Sequence, residues 1–348
     1  MKISNRSIGK NNKPFFIAEI SGNHNGKILN ALKLIDAAKW AGADAVKLQT
    51  FLPDQMTLNS KKNRYLVNHA NSKWSQKTLY DLFTKAHTPW EWYPKLKKYA
   101  KKKNIILFSS VFDLTSLDFL EKINFPAYKI ASFENNDVNL INQVCKKKKP
   151  IIISSGMALF EEIKNIYKIC KKNNCVSKLA ILKCNSSYPS PLKDTNLTTI
   201  VNMRKKFDCE IGLSDHSIGS TASISAISLG ASIIEKHICI DKKTGIDSFF
   251  SANPNEFKDL IDKSNDCWES LGHIFYGPTK SEIKSIKNRR SIFSTKKIIK
   301  NEKITINNIR TLRPRIGVDA KYFFKILGKK VKVDIDKNKP IKWKLLNK

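Results

Sequence analysis

The chain of 348 residues is 41% hydrophobic, enough for a sizeable core, but no uninterrupted apolar run reaches about 18 residues, which excludes a transmembrane helix. Its formal charge of +33 comes mainly from lysine and accompanies no zinc-finger, basic-zipper or RNA-recognition motif, so we predict no nucleic-acid partner and no membrane partner. The polar residues 1–13 precede no signal-like apolar segment, and the seven cysteines form no CxxC pair. We therefore expect a cytoplasmic protein with reduced thiols.

Strand-like and helix-like segments alternate over most of the chain. The long polar loop from Phe51 to about Lys77 is typical of a functional segment. Eight consecutive βα units favour an α/β fold of the (β/α)8 TIM-barrel type, with an open doubly wound sheet as the alternative. No GxGxxG begins the first helix, which disfavours a dinucleotide-binding sheet. The predicted strands span residues 14–21, 45–50, 105–110, 127–132, 151–155, 179–185, 210–214 and 232–238.

The residue composition and pattern change after Gly277-Pro278-Thr279. Residues 281–290 are charged and predict a linker, and the stretch that follows contains the short β-branched runs SIFSTKKI, KVKVDI and IKWKLL. We predict a catalytic barrel domain over residues 1–280, a linker over 281–290 and a small β-rich domain over 291–348.

Four predicted strands carry a lysine near their C-terminal end, where the active site of such a barrel lies. Lysine is unfavourable in a strand that is buried on both faces unless it points into a polar mouth or pairs with an acid. Four converging lysines, with serine hydroxyls at the same ends, would bind a substrate that bears phosphate or carboxylate. These lysines are Lys47, Lys129, Lys183 and Lys236.

Two histidines follow consecutive predicted strands, in Leu213-Ser214-Asp215-His216 and Glu235-Lys236-His237. We interpret them as ligands of a divalent metal whose shell is completed by oxygen donors, with buried structural histidines as the alternative. Open coordination positions are typical of a catalytic metal site. Asp215 could orient the ring of His216 or add a ligand. Glu19, at the end of the first predicted strand, is a candidate proton-transfer group, and His24 either binds substrate or shapes its loop.

Seven short motifs follow one another along the chain: IAEI (17–20), NHNG (23–26), AGADAVKLQT (41–50), YKIASFE (128–134), SSGM (154–157), GLSDH (212–216) and EKH (235–237). With these motifs the chain resembles the sialic acid synthase (nonulosonic acid synthase) family along essentially its whole length. Within that family, residues 77–82 and 86–92 are most similar to the pseudaminic acid branch, and the tail resembles the antifreeze-like (SAF) domain of these enzymes.

The resemblance implies a metal-dependent condensation of phosphoenolpyruvate with an open-chain 2,4-diacetamido-2,4,6-trideoxy-hexose, giving a nonulosonic acid and phosphate. It implies that His216 and His237 hold Mn2+ or Mg2+ and that Glu19 is the catalytic glutamate. It also implies a homodimer in which Arg313 reaches the partner's active site. The implied phosphoenolpyruvate-side residues are Lys47, Ser110, Lys129, Ser132, Ser154 and Ser186, and those on the acceptor side are Glu134, Tyr188 and Asp247, with Arg313 from the partner subunit.

Several positions depart from the family pattern without removing a charged catalytic group. They bear on the choice of acceptor and on the tail domain: Val111, Ser155, Asn185, Arg315 and the stretch 244–247. Three alternatives stay open. The acceptor could be that of an N-acetylneuraminate or legionaminate synthase, the enzyme could be a Schiff-base aldolase with Lys183 as nucleophile, or the chain could be a non-catalytic, basic sugar- or nucleic-acid-binding protein.

Overall fold

The computed structural model describes residues 1–67, 74 and 77–347. The chain forms two compact units, Met1–Gly272 and His273–Lys348. Part of the long loop that ends near Lys77, and the last residue of the predicted β-rich domain, fall outside the described residues. The domain limits given above stay predictions.

The first unit begins with a short hairpin of β1 (Lys2–Ile3) and β2 (Arg6–Ser7), which the sequence pattern did not predict. Eight parallel strands then form a closed barrel, which confirms the TIM-type fold and excludes the open sheet. Every barrel strand lies within two residues of its predicted bounds. They are β3 (Phe15–Glu19), β4 (Ala45–Thr50), β5 (Ile106–Val111), β6 (Tyr128–Ile130), β7 (Ile151–Ser154), β8 (Leu179–Cys184), β9 (Glu210–Asp215) and β10 (Ile233–His237).

Helices lie between and after the strands. Local signals set several of their ends: Asp113 accepts a hydrogen bond from the backbone N–H of Ser116 at 2.8 Å and begins one helix. Pro89 lies between two helices, Leu79–Ala86 and Tyr93–Lys102, because proline cannot continue the hydrogen-bond ladder of a helix. The α-helices described in the first unit are α1 (Ile28–Ala41), α2 (Pro53–Met56), α3 (Leu79–Ala86), α4 (Tyr93–Lys102), α5 (Leu114–Ile123), α6 (Val138–Lys146), α7 (Phe160–Lys172), α8 (Thr198–Lys206), α9 (Thr221–Ser228) and α10 (Pro254–Leu271). Over the described residues, none of the helices has the length and apolarity that crossing a membrane requires.

Each barrel strand alternates between a side chain that points into the barrel and one that faces the helices. Apolar side chains fill the lower interior of the barrel, among them Ile17, Ala45, Ala127 and Ile233. A second, larger cluster lies between strands and helices. The residue two positions beyond each of those four is also inward, and those residues are Glu19, Lys47, Lys129 and Glu235. The apolar interior therefore ends in a layer of charged side chains.

The second unit is small and built around an isoleucine- and valine-rich core. Strand β11 (Ser291–Ser294) pairs antiparallel with β12 (Ile309–Leu312), and α11 spans Phe323–Ile326. The predicted runs KVKVDI and IKWKLL form only isolated bridges, such as Val331 with Leu346. The predicted linker contains a short 3-10 helix, Ile283–Asn288.

Candidate active site

Two lysines and two glutamates form a buried charge cluster at the C-terminal ends of the barrel strands. The Lys47 Nζ lies 2.8 Å from Glu19 Oε2 and 3.0 Å from Glu235 Oε1. The Lys129 Nζ lies 3.8 Å from the same Glu235 oxygen and donates a hydrogen bond to Ser154 Oγ at 2.7 Å. Strand pairing fixes this arrangement, since Glu19 lies opposite Lys47 on β4. None of the four side chains is appreciably exposed.

Burial and mutual charge set the protonation of this cluster. Burial raises the pKa of Glu19, with Lys47 opposing and Glu235 adding to the rise. Burial, together with Lys47, lowers the pKa of Lys129 to about 8, against the attraction of Glu235. For Glu235 burial alone would raise the pKa, but Lys129 and Lys47 hold it below its ordinary value. The mouth thus presents two ammonium groups at neutral pH beside a carboxyl group, Glu19, that can exchange a proton more readily than an exposed glutamate.

Serine residues lie at or just after the C-terminal ends of the neighbouring strands β5 to β8. Ser132 Oγ accepts a hydrogen bond from the backbone N–H of Gly156 at 3.2 Å. A Cβ at Gly156 would lie 2.2 Å from Ser186 Oγ and 2.6 Å from Ser132 Oγ, so only glycine lets these two hydroxyls approach. The buried Ser110 Oγ has no hydrogen-bond partner among the described residues. These hydroxyls and the ammonium of Lys129 together can donate to an anionic group.

The two histidines lie side by side, with ring centroids 5.4 Å apart. His216 Nδ1 lies 2.8 Å from the backbone carbonyl oxygen of Asn185, which can only accept a hydrogen bond. The ring proton is therefore on Nδ1, and the lone pair of Nε2 is available to bind a metal. The buried His237 Nδ1 has no hydrogen-bond partner among the described residues. Burial and the neighbouring His216 lower the pKa of His237 well below its ordinary value, so its ring is in the neutral form that binds metals. The pair therefore fits a divalent metal.

Aromatic and acidic residues line the space beside the histidines. The Tyr188 ring lies 4.3 Å from the His216 ring, and the Phe250 ring lies 4.8 Å from the His237 ring. Asp247 Oδ2 lies 3.8 Å from His237 Nδ1, and burial raises the pKa of Asp247 to about 6. The structure thus brings Tyr188 and Asp247 beside the histidine pair.

Loop contacts hold Asp247 in place. Its carboxylate accepts a hydrogen bond from Ser21 Oγ, and its backbone N–H donates to Asn23 Oδ1 at 3.1 Å. The neighbouring His24 is fully buried, and its ring contacts the Gly26 N–H at 3.1 Å and Thr88 Oγ1 at 3.3 Å. Both ring nitrogens are occupied, so His24 shapes its loop. Glu134 is half-buried, and burial raises its pKa to about 7 against the pull of Lys129.

The prediction that four lysines converge is wrong for two of them. Lys183 and Lys236 lie two positions after Ile181 and Ile234, which face the helices. Residues two apart share one face of a strand, so both lysines lie on the outer side of the barrel. The Lys236 Nζ lies 2.9 Å from Asp215 Oδ2, and Asp215 also accepts from nearby serine hydroxyls. Asp215 therefore neutralises Lys236 rather than orienting His216. Lys183 is half-buried and donates to the backbone carbonyl of Cys184 at 2.9 Å.

The sequence pattern assigned no role to two inward residues, Glu235 and Cys184. Glu235 belongs to the Glu-Lys-His motif and joins the two lysines through one oxygen, while its Oε2 is buried without a hydrogen-bond partner among the described residues. Cys184 Sγ lies 3.8 Å from His216 Nδ1. Their position two residues beyond an inward apolar residue, Ile233 or Leu182, is the signal that identifies them. Arg313 is exposed on the second unit.

Comparison with known proteins gives consistent matches. The NeuB family model matches residues 34–276, and the SAF domain model matches residues 289–347. The pseudaminic acid synthase of Campylobacter jejuni is 42% identical over 342 residues, covering 97% of each chain. That of Helicobacter pylori is 40% identical, covering 94% of this chain and 96% of its own. The crystal structure of N-acetylneuraminic acid (sialic acid) synthetase from Leptospira borgpetersenii in complex with citrate is 33% identical, with a TM-score of 0.73 over 82% of this chain and 94% of that one.

Proposed function

This chain belongs to the NeuB family, and we propose that it acts as a pseudaminic acid synthase. The reaction is the condensation of phosphoenolpyruvate with an open-chain 2,4-diacetamido-2,4,6-trideoxy-hexose, which gives a nonulosonic acid and phosphate. The observation that carries the proposal is the buried Glu19–Lys47–Glu235–Lys129 cluster, whose strand β10 also carries His237. It joins groups for an anion, a proton and a metal at one barrel mouth.

Phosphoenolpyruvate bears a carboxylate at C1 and a phosphate ester on the neighbouring carbon, C2. Lys47 and Lys129 would neutralise this charge, and charge-assisted hydrogen bonds in a buried site are the stronger kind. Ser154 Oγ accepts from Lys129, and four serine hydroxyls at this end of the barrel would fit the phosphate oxygens: Ser110, Ser132, Ser154 and Ser186. Glu235 keeps both lysines cationic until the substrate arrives, because its carboxylate favours the charged form of each.

His216 and His237 would hold a divalent metal, Mn2+ or Mg2+, which would supply Lewis-acid polarisation of the acceptor aldehyde. The carbonyl of Asn185 keeps the His216 ring in the ligating tautomer. Tyr188 and Asp247 lie beside this pair and would orient the acceptor. The pKa of Glu134 is about 7, so near neutral pH its carboxyl group would either donate a hydrogen bond to a sugar hydroxyl or amide or accept one from it.

The bonds made and broken in this condensation require a group that transfers a proton. A bond forms between C3 of phosphoenolpyruvate and the aldehyde carbon, water adds to C2, and the C2–O bond breaks to release phosphate. The aldehyde oxygen gains one proton of the water, and the second leaves with phosphate as the C2 hydroxyl becomes a carbonyl. Glu19 would hold and move the first proton, because its buried carboxyl group has a raised pKa and sits against Lys47. The backbone N–H of Ser21 donates to Glu19 Oε1 at 2.6 Å and keeps the carboxyl oriented.

The aromatic residues beside the metal pair support the choice of a trideoxy acceptor. The Trp74 ring lies 5.6 Å from the rings of Tyr188 and Phe249, and the Phe249 and Phe250 rings are 5.0 Å apart. Such a wall favours a methyl group at C6 and the methyls of two acetamido groups over hydroxyls. The two pseudaminic acid synthases at 42% and 40% identity support the same choice. N-acetylneuraminate and legionaminate synthases remain the alternatives, since their acceptors differ at C4, C6 and ring stereochemistry.

The Schiff-base aldolase alternative loses its nucleophile. Lys183 lies on the helix-facing side of β8, where its ammonium donates to a backbone carbonyl. The second-unit Arg313 is exposed, which leaves it accessible to complete the site of a partner subunit in a homodimer. All seven cysteines are free, which fits the reducing cytoplasm.

The test is turnover with a panel of acceptors. Metal-loaded protein is mixed with phosphoenolpyruvate and, separately, with the acetamido-hexose precursors of pseudaminic, legionaminic and neuraminic acids. We expect acceptor-dependent phosphate release that is fastest with the pseudaminic precursor, is abolished by chelator and returns on adding Mn2+ or Mg2+. Faster turnover of another precursor would contradict the acceptor choice, and no phosphate with any precursor would contradict the synthase itself.

A further inference from the structure

Three cysteines meet between two barrel helices, away from the charge cluster. Cys145 lies in the last turn of α6, Cys170 in the last turn of α7, and Cys175 in the turn that leads to β8. All three are fully buried. Their sulfur atoms lie within 4.8 Å of one another, and those of Cys145 and Cys170 are 3.6 Å apart.

The local backbone brings the third sulfur to the other two. Asn174 adopts a positive φ of 51° and reverses the chain after α7. The backbone N–H of Cys175 then donates to the carbonyl oxygen of Cys170 at 3.0 Å. The end of α7 is also joined to the middle of α6, because the Asn173 side chain donates to Asn142 Oδ1 at 3.0 Å. The cluster therefore rests on fixed secondary structure.

These distances suit one thiophilic ion. Metal–sulfur bonds of about 2.3 Å place three sulfurs roughly 4 Å apart around a shared centre. Thiolates select soft ions such as Cu(I) and Zn2+. Among the described residues no histidine, aspartate, glutamate or further cysteine completes the group. Structural zinc takes four ligands almost without exception, and full burial excludes an easy water ligand, so three sulfurs alone favour Cu(I).

We propose that Cys145, Cys170 and Cys175 form a closed three-sulfur site for a single Cu(I) ion. Binding forms three Cu–S bonds and releases the thiol protons to solvent, with no change in oxidation state. Helices in a (β/α)8 barrel run opposite to the strands, so helix C-termini lie at the face away from the catalytic mouth. The ion would join α6 and α7 at that face without contacting substrate.

The first measurement is a Cu(I) titration of reduced, metal-free protein under anaerobic conditions, in competition with a colorimetric Cu(I) chelator. Because the sulfurs are fully buried, each sample is equilibrated for hours or refolded with the ion. We expect one tightly held ion per chain in the wild type. Affinity should fall at least about a hundredfold in Cys145→Ser and in Cys170→Ser. Cys267→Ser, at a half-buried position outside the cluster, should bind as the wild type does.

X-ray absorption of the loaded protein identifies the ligands and keeps the test independent of variant folding. Three sulfur neighbours and no nitrogen or oxygen in the first shell are expected. Imidazole scattering would overturn the proposal, since it would place the ion at His216, His237 and Cys184. Equal binding by Cys170→Ser, a Cys145–Cys170 disulfide in the protein purified without reductant, or a four-coordinate zinc ion at these sulfurs would each overturn it as well.

Discussion

The barrel strands carry buried lysine–carboxylate pairs on both faces, but the pairs on the two faces have different roles. On the inward face, Lys47 and Lys129 share one carboxylate oxygen of Glu235 and point toward the mouth. On the helix-facing side, Lys236 pairs with Asp215, two serines complete the carboxylate's hydrogen bonds, and a backbone carbonyl accepts from Lys236 at 2.6 Å. The charges and hydrogen bonds of this outer pair are therefore satisfied by protein groups.

This difference separates a binding site from a structural ion pair. The inward cluster keeps unused capacity, in the buried Glu235 Oε2, Ser110 Oγ and His237 Nδ1, which have no hydrogen-bond partner among the described residues. Buried polar atoms without partners cost free energy, so their concentration at one mouth indicates a site that a ligand completes. The side of the strand, rather than the residue type, decides which role a buried lysine has.

The largest effect is expected from Glu19→Gln on the inward face. Removing the carboxyl proton while keeping the shape should lower kcat by about 10²- to 10⁴-fold. The Tm should fall only slightly, because the amide oxygen can still accept from Lys47 or from the backbone N–H of Ser21, and Glu235 still pairs with Lys47. Steady-state phosphate release and calorimetry measure the two quantities. A kcat within threefold of the wild type would remove Glu19 from the mechanism.

The converse is expected on the helix-facing side, from Lys236→Met. This change leaves the buried Asp215 carboxylate without its cation and should reduce the free energy of unfolding by about 3–5 kcal/mol. Denaturant titration measures this loss. The molecules that remain folded should retain kcat within about threefold, as active-site titration of the soluble fraction would report. A large fall in kcat at unchanged stability would show that the outer pair contributes to catalysis.

A matched pair of lysine variants compares the faces directly. Lys129→Met removes a charge-assisted contact to the anionic substrate, worth about 1.5–3 kcal/mol, and should raise the KM for phosphoenolpyruvate roughly 10- to 100-fold. Lys183→Met, on the helix-facing side of β8, should change KM and kcat by less than about twofold, because its ammonium donates to a backbone carbonyl and does not belong to the inward cluster. Equal effects of the two variants would contradict the assignment by strand face.

The smallest effect is a shift in pH dependence. The pKa of Lys129 is about 8, so the cation is present below that pH and lost above it. We expect kcat/KM for phosphoenolpyruvate to fall as pH rises through about 8. In Glu235→Gln the neighbouring negative charge is gone, the pKa of Lys129 falls further, and the decline should begin at lower pH by about one unit. A decline that begins at the same or higher pH in the variant would refute the coupling of these residues.

The sequence pattern predicted the strands well and their faces poorly. Apolar, β-branched runs placed all eight barrel strands within two residues, because buried parallel strands need such runs. The same burial on both faces removes the alternation that would reveal which side is inward, so Lys183 and Lys236 looked like Lys47 and Lys129. Only the barrel geometry distinguishes them.

Local order was harder to predict in the second unit. The run KVKVDI has a strand-like pattern, yet its residues make isolated bridges, because a small irregular core offers few long pairings. The strand Ile309–Leu312 was missed, since it buries little beyond Ile309. The cysteine cluster was missed for a different reason, because α6 and α7 bring together residues that are 25 positions apart.

The most direct test of the account uses phosphoenolpyruvate with labelled oxygen in the bridge between C2 and phosphorus. Turnover is run with the metal-loaded protein and the pseudaminic precursor, and both products are analysed by mass spectrometry. The account predicts that all of the label leaves with phosphate, that the new C2 oxygen comes from water, and that neither product forms with Glu19→Gln at a comparable rate. Label retained in the sugar acid would contradict cleavage of the C2–O bond, and phosphate released without acceptor would contradict a condensation at the inward face of this barrel.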